Sequence, residues 1–113
     1  MSECVFCLIA DKKASAKIFY EDKALMAIQD INPKAEVHVL IIPKKHINSV
    51  NELEKGDAKL IGQMFLLAKD LARQFNISTA GYKLVANCGR GAGQMVDHLH
   101  LHLLAGHDLR SLV

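Results

Sequence analysis

The segment His98-Leu99-His100-Leu101-His102-Leu103-Leu104 decides the fold, because it alternates histidine with leucine in steps of two residues. A period of two is typical of a β-strand, on which successive side chains point to opposite faces. We therefore predict a strand over residues 98–104 with its leucines packed on a core. The opposite face carries three imidazoles, which titrate near neutrality, ligate metals and act as nucleophiles. Packing alone does not explain three such groups, because each brings two nitrogens that need partners.

The rest of the chain predicts an α+β fold with an antiparallel five-stranded sheet, one long helix and one short helix. Val5–Ala10 is expected to form one or two helical turns. Apolar residues at helical spacing predict the long helix over 53–75, capped by Asn51 with Glu54 or by Asp57. The other expected strands cover residues 17–20, 24–29, 37–42 and 82–87.

Length and composition indicate one domain over residues 1–113 and exclude several classes of protein. Half of the 113 residues are hydrophobic, so the chain is expected to be globular. A formal net charge of +2 is too small to argue for nucleic-acid binding. Neither a signal peptide nor a membrane-spanning run is apparent, and three cysteines do not suggest a disulfide framework. We expect a cytoplasmic protein with no membrane or nucleic-acid partner.

Two short motifs beside the histidine segment suggest further chemistry. The glycine-rich residues 89–93 are either a plain tight turn or a loop whose N–H groups bind an anion. Cys4 and Cys7 form a Cys-x-x-Cys pair, which His46 and His98 would complete as a zinc site, although such cysteines are often inert apolar residues. Asp30, at a strand end before a proline loop, is either a solvated turn residue or an acceptor for a ribose diol.

Together these residues resemble the histidine triad (HIT) family, in particular its nucleoside-phosphoramidase, or Hint-type, branch. Residues 98–104 match the family pattern His-φ-His-φ-His-φ-φ, in which φ is hydrophobic, at every position. The resemblance covers nearly the whole chain. The other matching segments are residues 30–33, 37–47, 81–82, 87 and 93–94.

The resemblance implies a role for each matching residue. His100 is the implied nucleophile, His102 contacts phosphate and His38 lines the same site, which makes these three the expected catalytic residues. Asp30 is the implied acceptor for the ribose hydroxyls. The residues expected to bind the nucleotide are Val5, Phe6, Ile9, Asp30, Ile31, Asn87, Gly93, Gln94, Met95, His100 and His102.

The resemblance also implies a metal and a partner. Many bacterial members hold zinc on a Cys-x-x-Cys pair, a histidine after Pro-x-x and the first triad histidine. The matching set here is Cys4, Cys7, His46 and His98, so we expect one structural zinc. The family forms homodimers through a shared sheet and its long helices, and we expect the same here.

We accordingly predict a purine nucleoside phosphoramidate hydrolase, acting on AMP or GMP derivatives through a covalent nucleotidyl-histidine. A dinucleoside polyphosphate hydrolase, a non-catalytic nucleotide-binding protein and a metal-storage module are the alternatives. Three departures from the branch bear on substrate choice. Met95 stands where serine is frequent, Asp97 stands where an aromatic is frequent, and the tail after His102 is short.

Overall fold

Five antiparallel strands form one sheet in the spatial order β1-β2-β3-β5-β4. The structure is a computed structural model that describes residues 4–106 and 109. Its strands are β1 (Ile18–Glu21), β2 (Leu25–Gln29), β3 (Val37–Pro43), β4 (Lys83–Val85) and β5 (Leu101–Ala105). Its helices are α1 (Val5–Ala10) and α2 (Ala58–Gln74). The predicted α+β class, with five strands, one long helix and one short helix, is confirmed.

The sheet separates two apolar clusters. Behind it, Leu99, Leu101 and Leu103 are buried in the same cluster as Met64 and Leu71 of α2. On the other side, residues of β2 and β3 pack against Phe6 and Ile9 of α1. The leucines of the histidine segment therefore support the sheet from the α2 side, as their alternation predicts. The histidines are left on the side that carries α1.

The long helix starts later than the apolar spacing predicts. Residues 50–52 and 55–57 form two short 3-10 turns, and α2 begins only at Ala58. Asp57 is responsible, because its carboxylate accepts a hydrogen bond from the backbone N–H of Glu54 at 2.9 Å and another from Lys45 Nζ at 2.7 Å. These bonds hold a tight turn ahead of the helix. Of the two predicted caps, Asp57 is the one at the start of α2.

The histidine segment is a strand only in part. β5 begins at Leu101, so His98 and His100 precede it, and the predicted strand over 98–104 was too long at its start. In the register of β3 and β5, Leu99 would face Pro43, which has no N–H to donate. The N–H of Leu99 donates instead to the carbonyl of Ile47 at 2.6 Å. The chain thus leaves the sheet where the first two histidines lie.

The short C-terminal tail lies outside the described residues except for Leu109, whose carbonyl accepts a hydrogen bond from Lys83 Nζ. Within the described part of the chain, no helix is both long and apolar enough to cross a membrane.

Candidate functional site

A cleft of about 1070 Å³ lies on the α1 side of the sheet. All three predicted catalytic residues line it. So does each residue of the predicted nucleotide-binding set except Gln94. α1 contributes apolar side chains at one end, the loop after β2 contributes Asp30 and Ile31, and the glycine-rich loop contributes Gly93 and Met95. Residues far apart in sequence thus meet in one cavity, which is the usual form of a small-molecule site.

His100 is held with one ring nitrogen free of its proton. Its Nδ1 lies 2.7 Å from the carbonyl oxygen of His98, and a carbonyl only accepts, so Nδ1 carries the hydrogen. In the neutral ring, Nε2 then has a lone pair. The Phe6 ring packs edge-on against this imidazole, with ring centroids 5.2 Å apart, and helps to hold the imidazole in place. This arrangement suits attack by Nε2 on an electrophile.

In His102 and His38 the hydrogen is on the other ring nitrogen, Nε2, and a backbone group determines this. The N–H of Lys34 donates to His38 Nδ1 at 2.9 Å, so the hydrogen of neutral His38 is on Nε2. That Nε2 lies 2.8 Å from His102 Nδ1 and 3.3 Å from Asp30 Oδ2. His102 therefore accepts at Nδ1 and carries its own hydrogen on Nε2. One imidazole of the triad presents a lone pair at Nε2, and its neighbour presents an N–H that can donate a hydrogen bond.

Burial keeps His38 and His102 neutral. It is the main cause that lowers the pKa of His102 to about 4, and the nearby His100 and His38 add to the effect. Burial also lowers the pKa of His38, although the Asp30 carboxylate opposes it. Neutral rings match the proton assignment above, because a protonated His38 could not accept the N–H of Lys34.

The lowered pKa of His102 predicts acid sensitivity of the fold. Above the usual histidine pKa of 6.5 neither the folded nor the unfolded chain protonates this ring. As the pH falls from 6.5 toward 4, the unfolded chain binds a proton that the folded protein excludes, so the free energy of unfolding decreases. We expect a His102→Asn variant, which does not titrate there, to show a shallower decrease in urea unfolding over this range. Equal slopes for both proteins would contradict the assignment.

Of the backbone amides of Gly93, Gln94 and Met95, only that of Met95 is left to bind a ligand among the described residues. Gly93 N–H donates to the carbonyl of Arg90 at 3.0 Å, and Gln94 N–H donates to that of Gly89 at 3.0 Å. Both bonds close a 3-10 turn that needs Gly89 and Gly93 at positive φ, 89° and 93°. The N–H of Met95 has no partner among the described residues, so it remains as the candidate donor.

Gln94 is buried beneath this loop and does not line the cleft. Its Nε2 donates to the carbonyls of Asn48 and Val96 at 2.6 and 3.0 Å, and its Oε1 accepts from Gly89 N–H at 2.9 Å. The contact that we expect between Gln94 and the nucleotide stays a prediction, because Gln94 is not among the residues that line the cleft. Its Nε2 is used in holding the loop, and its Oε1 already accepts one hydrogen bond.

The four predicted metal ligands converge behind the cleft. The ligand atoms of Cys4, Cys7, His46 and His98 all lie within 4.8 Å of one another. Cys4 Sγ is 3.2 Å from His98 Nδ1, and Cys7 Sγ is 3.2 Å from His46 Nδ1 and 3.6 Å from His98 Nδ1. A tetrahedron with Zn–S of about 2.3 Å and Zn–N of about 2.0–2.1 Å has edges of about 3.5 Å. The cluster therefore fits zinc in both donor type and spacing.

The ring orientations also favour a metal at this cluster. His98 Nε2 lies 2.7 Å from the carbonyl of Pro43, and His46 Nε2 lies 2.7 Å from Asn48 Oδ1. Both acceptors hold the hydrogen on Nε2, which leaves the two Nδ1 lone pairs facing the sulfurs. Burial and the neighbouring Cys4 raise the pKa of the Cys7 thiol to about 11 without a cation, so metal binding must release thiol protons.

A second group with metal-ligand spacing is not suited to a metal. Asp30, His38 and His102 also bring their ligand atoms within 4.8 Å of one another. However, the Lys34 N–H occupies His38 Nδ1, so the nitrogen that faces the other two residues carries a hydrogen. Ligation through it would require two N–H donors to face each other, which costs a buried hydrogen bond. This group is arranged for hydrogen bonding.

The sequence does not identify which backbone groups orient the histidines. The N–H of Lys34, the carbonyl of Pro43 and the carbonyl of His98 each set a histidine tautomer. Backbone groups carry no sequence signal, so only the tertiary structure identifies them. Asn48 was detectable in principle, because it lies two residues after a proposed ligand and can accept from it.

Comparisons with known proteins agree with this geometry. Residues 3–111 match the family model described as "Scavenger mRNA decapping enzyme C-term binding". An uncharacterised HIT-like protein of Buchnera aphidicola is 41% identical over 107 residues, which cover 95% of this chain and 94% of that protein. The crystal structure of a HIT family hydrolase from Legionella pneumophila superposes with a TM-score of 0.93 at 44% identity, covering 95% of this chain and 96% of that one.

A HIT family hydrolase from Clostridium thermocellum gives a TM-score of 0.92 at 46% identity, covering 96% of this chain and 95% of that one. The matches extend over nearly the full length on both sides, and the residues they cover include the histidine segment. This chain belongs to the histidine triad family.

Proposed function

We propose that the protein is a nucleotide hydrolase that cleaves purine nucleoside 5′-phosphoramidates through a nucleotidyl-histidine at His100. The opposite proton positions on His100 and His102 carry this proposal. A protein that only binds nucleotides has no need of a lone pair and a proton donor on rings whose centroids are 4.9 Å apart. The two solved relatives described as HIT family hydrolases support hydrolysis as the reaction class.

The proposed reaction has two steps. First, His100 Nε2 forms a bond to the α-phosphorus as the P–N bond breaks, and the leaving nitrogen takes up a proton from solvent while His102 Nε2–H donates a hydrogen bond to the reacting group. The substituted His100 ring then carries a positive charge, which the second step removes when water attacks phosphorus and gives its proton to solvent. His100 is freed as the N–P bond breaks. The N–H of Met95 is the proposed donor to a phosphoryl oxygen.

Incubation with a panel of adenosine and guanosine phosphoramidates tests the proposal. We expect release of AMP or GMP together with the free amine. Val5, Phe6, Ile9 and Ile28 offer only apolar surface to a base, so adenine and guanine should be handled within about tenfold of each other. Turnover of dinucleoside polyphosphates alone would favour the polyphosphate hydrolase, and binding without turnover would favour a non-catalytic protein.

Asp30 is the proposed acceptor for the ribose hydroxyls. Its Oδ1 already accepts the N–H of Asn32 at 2.8 Å, which fixes the carboxylate at the mouth of the cleft. We expect Asp30→Ala to reduce kcat/KM for ribonucleotides by about tenfold or more, and to affect 2′-deoxy analogues much less, because hydrogen bonds to a charged acceptor are lost only with the former.

The matched control is Asp70→Ala, which removes an exposed carboxylate on α2 that pairs with Lys69 and does not line the cleft. It should alter neither sugar's kcat/KM by more than about twofold. Equal losses for ribo- and deoxyribonucleotides in Asp30→Ala would show that Asp30 acts only on the loop or on His38.

We further propose that Cys4, Cys7, His46 and His98 hold one zinc ion. When bound, the ion would have four protein ligands and no open position, so it would contribute stability and leave the chemistry to the histidines. Support comes from the spacing of the donors and from the two Nδ1 lone pairs that face the sulfurs.

A homodimer is proposed as the assembled form. Within the described residues, β4 lies at the edge of the sheet beside β5, and an edge strand is a usual place for a sheet to continue into a second chain. On α2, Phe65 and Leu66 are 50% and 59% exposed, which is typical of apolar residues that a partner covers. Sedimentation equilibrium should give twice the chain mass of 12.5 kDa, and a monomer at micromolar concentration would contradict it.

A further inference from the structure

Arg90 and Asp97 form an ion pair across the glycine-rich loop. Arg90 Nη2 lies 3.1 Å from Asp97 Oδ2, and the two side chains are 61% and 67% exposed. An ion pair with this much exposure contributes little to the stability of a fold. Neither residue lines the cleft, although Asp97 directly precedes the histidine segment. Stability and contact with the substrate therefore do not explain this pair.

The guanidinium of Arg90 also holds one peptide group of the loop. Its Nη1 donates a hydrogen bond to the carbonyl oxygen of Gln94. Because Nη2 is engaged with Asp97, two donors of one rigid, planar group have separate acceptors, which fixes the orientation of the side chain. A hydrogen bond from a charged donor is also stronger than one between neutral groups. The Gln94 carbonyl is therefore directed toward Arg90.

That carbonyl belongs to the same peptide group as the N–H of Met95. The peptide bond between Gln94 and Met95 is trans, so its C=O and N–H point in opposite directions. With the carbonyl directed toward Arg90, the N–H points away from Arg90. Met95 lines the cleft and Arg90 does not, so this is the orientation in which the N–H can reach a ligand there.

The reverse orientation of this peptide group would oppose phosphate binding. The backbone on either side is held without Arg90, because the Gln94 N–H donates to the carbonyl of Gly89 at 3.0 Å and Gln94 Nε2 donates to that of Val96 at 3.0 Å. Rotation of the peptide group between these points would exchange its C=O and N–H. A carbonyl oxygen would then face the anion, and the bond to Arg90 would be lost.

We propose that Arg90, held by Asp97, is a positioning residue that keeps the N–H of Met95 directed at a phosphoryl oxygen of the substrate. The inference rests on the proposed hydrolysis at His100 and adds to it a residue that acts on the phosphate through the loop. The guanidinium does not touch the substrate. It fixes the peptide group, and its charge polarises that group so that the N–H is a stronger donor.

Replacing a phosphoryl oxygen by sulfur tests this role, because sulfur is a weak hydrogen-bond acceptor. The substrates are an adenosine phosphoramidate and its two phosphorothioate diastereomers, each of which has sulfur in place of a different nonbridging oxygen. In the wild type, we expect kcat/KM to be about tenfold or more lower for the diastereomer whose sulfur faces the Met95 N–H than for the other diastereomer.

Arg90→Met should reduce this discrimination between the diastereomers. We expect kcat/KM to fall by about five- to tenfold for the oxygen substrate and for the favoured diastereomer, and by at most about twofold for the disfavoured one, which has already lost the hydrogen bond. A purely structural role of Arg90 would lower kcat/KM for all three substrates by the same factor. The three-substrate comparison therefore separates positioning of the N–H from general stability.

Three further variants test the contacts of the guanidinium. Arg90→Lys keeps a charged donor for the Gln94 carbonyl and should restore part of the discrimination that Arg90→Met loses. Asp97→Ala frees the second donor of Arg90 and should give the same pattern with losses of about two- to threefold. The matched control is Arg73→Met, which removes an exposed arginine of α2 that does not line the cleft, and it should leave the discrimination unchanged.

The outcomes distinguish this inference from the function on which it rests. If the wild type hydrolyses the phosphoramidate and Arg90→Met lowers kcat/KM for all three substrates equally, the positioning role is refuted and hydrolysis at His100 stands. A wild type that hydrolyses both diastereomers equally well leads to the same conclusion. If the wild type hydrolyses none of the phosphoramidates, the proposed function fails, and this inference fails with it.

Discussion

Replacing His100 with alanine is expected to reduce turnover of adenosine phosphoramidates by about a thousandfold or more while AMP still binds. The substitution removes the Nε2 lone pair, and with it the covalent route. The lining of the cleft by α1, Asp30 and the glycine-rich loop remains. Steady-state kinetics measure the loss, and isothermal titration with AMP measures the remaining affinity.

A chemical rescue makes this test specific to the imidazole. His100→Gly with added imidazole should regain part of the lost activity, because a free ring can occupy the space and attack phosphorus. In the wild type, mass spectrometry after rapid denaturation should locate a nucleotidyl group on His100. Near-normal turnover of the alanine variant, or an adduct on another histidine, would disprove the assignment of the nucleophile.

Removing the two thiols of the metal cluster should cause the largest loss of stability. When free zinc exceeds its Kd by 100- to 1,000-fold, binding stabilises the folded state by about 3–4 kcal/mol. The double variant Cys4→Ser/Cys7→Ser loses this contribution, and in a chain of this size Tm should fall by about 10–20 °C. Differential scanning calorimetry and metal analysis of protein purified without a polyhistidine tag provide the measurements.

Cys88 is the matched control, because it is a partly buried free cysteine outside the cluster. Cys88→Ser should retain one zinc per chain and a nearly unchanged Tm. A metal content near zero in the wild type, with all three cysteines reacting with a thiol reagent, would remove zinc from the proposal. The mechanism at His100 would not be affected by that result.

The double cysteine variant should keep much of its turnover even though its folded state is much less stable. Phe6 joins the two sites, since its ring packs edge-on against His98 of the cluster at 5.7 Å and against His100 at 5.2 Å. It lies on α1, between the two cysteines. Loss of the metal therefore loosens one wall of the cleft, while the hydrogen bond that orients His100 comes from the backbone and remains.

The sequence by itself determined the fold class and most of the candidate residues. Alternating histidine and leucine specify a two-sided segment wherever it lies, because side-chain direction along an extended chain depends only on position. Apolar spacing identified α2 for the same local reason, although its start depended on the side chain of Asp57. The predicted metal-ligand set, Cys4, Cys7, His46 and His98, likewise came from residue types and from the family resemblance.

Only the tertiary structure decided which nitrogen of each described histidine carries a proton. The Lys34 N–H and the carbonyls of His98 and Pro43 set those tautomers, and they come from backbone that only the fold brings to each ring. It also placed Gln94 outside the lining of the cleft, and it engaged the N–H groups of Gly93 and Gln94 in hydrogen bonds within the loop. Hydrogen-bond partners depend on three-dimensional proximity, which residue identity and spacing do not encode, so the chemistry of the five described histidines is fixed only when the chain folds.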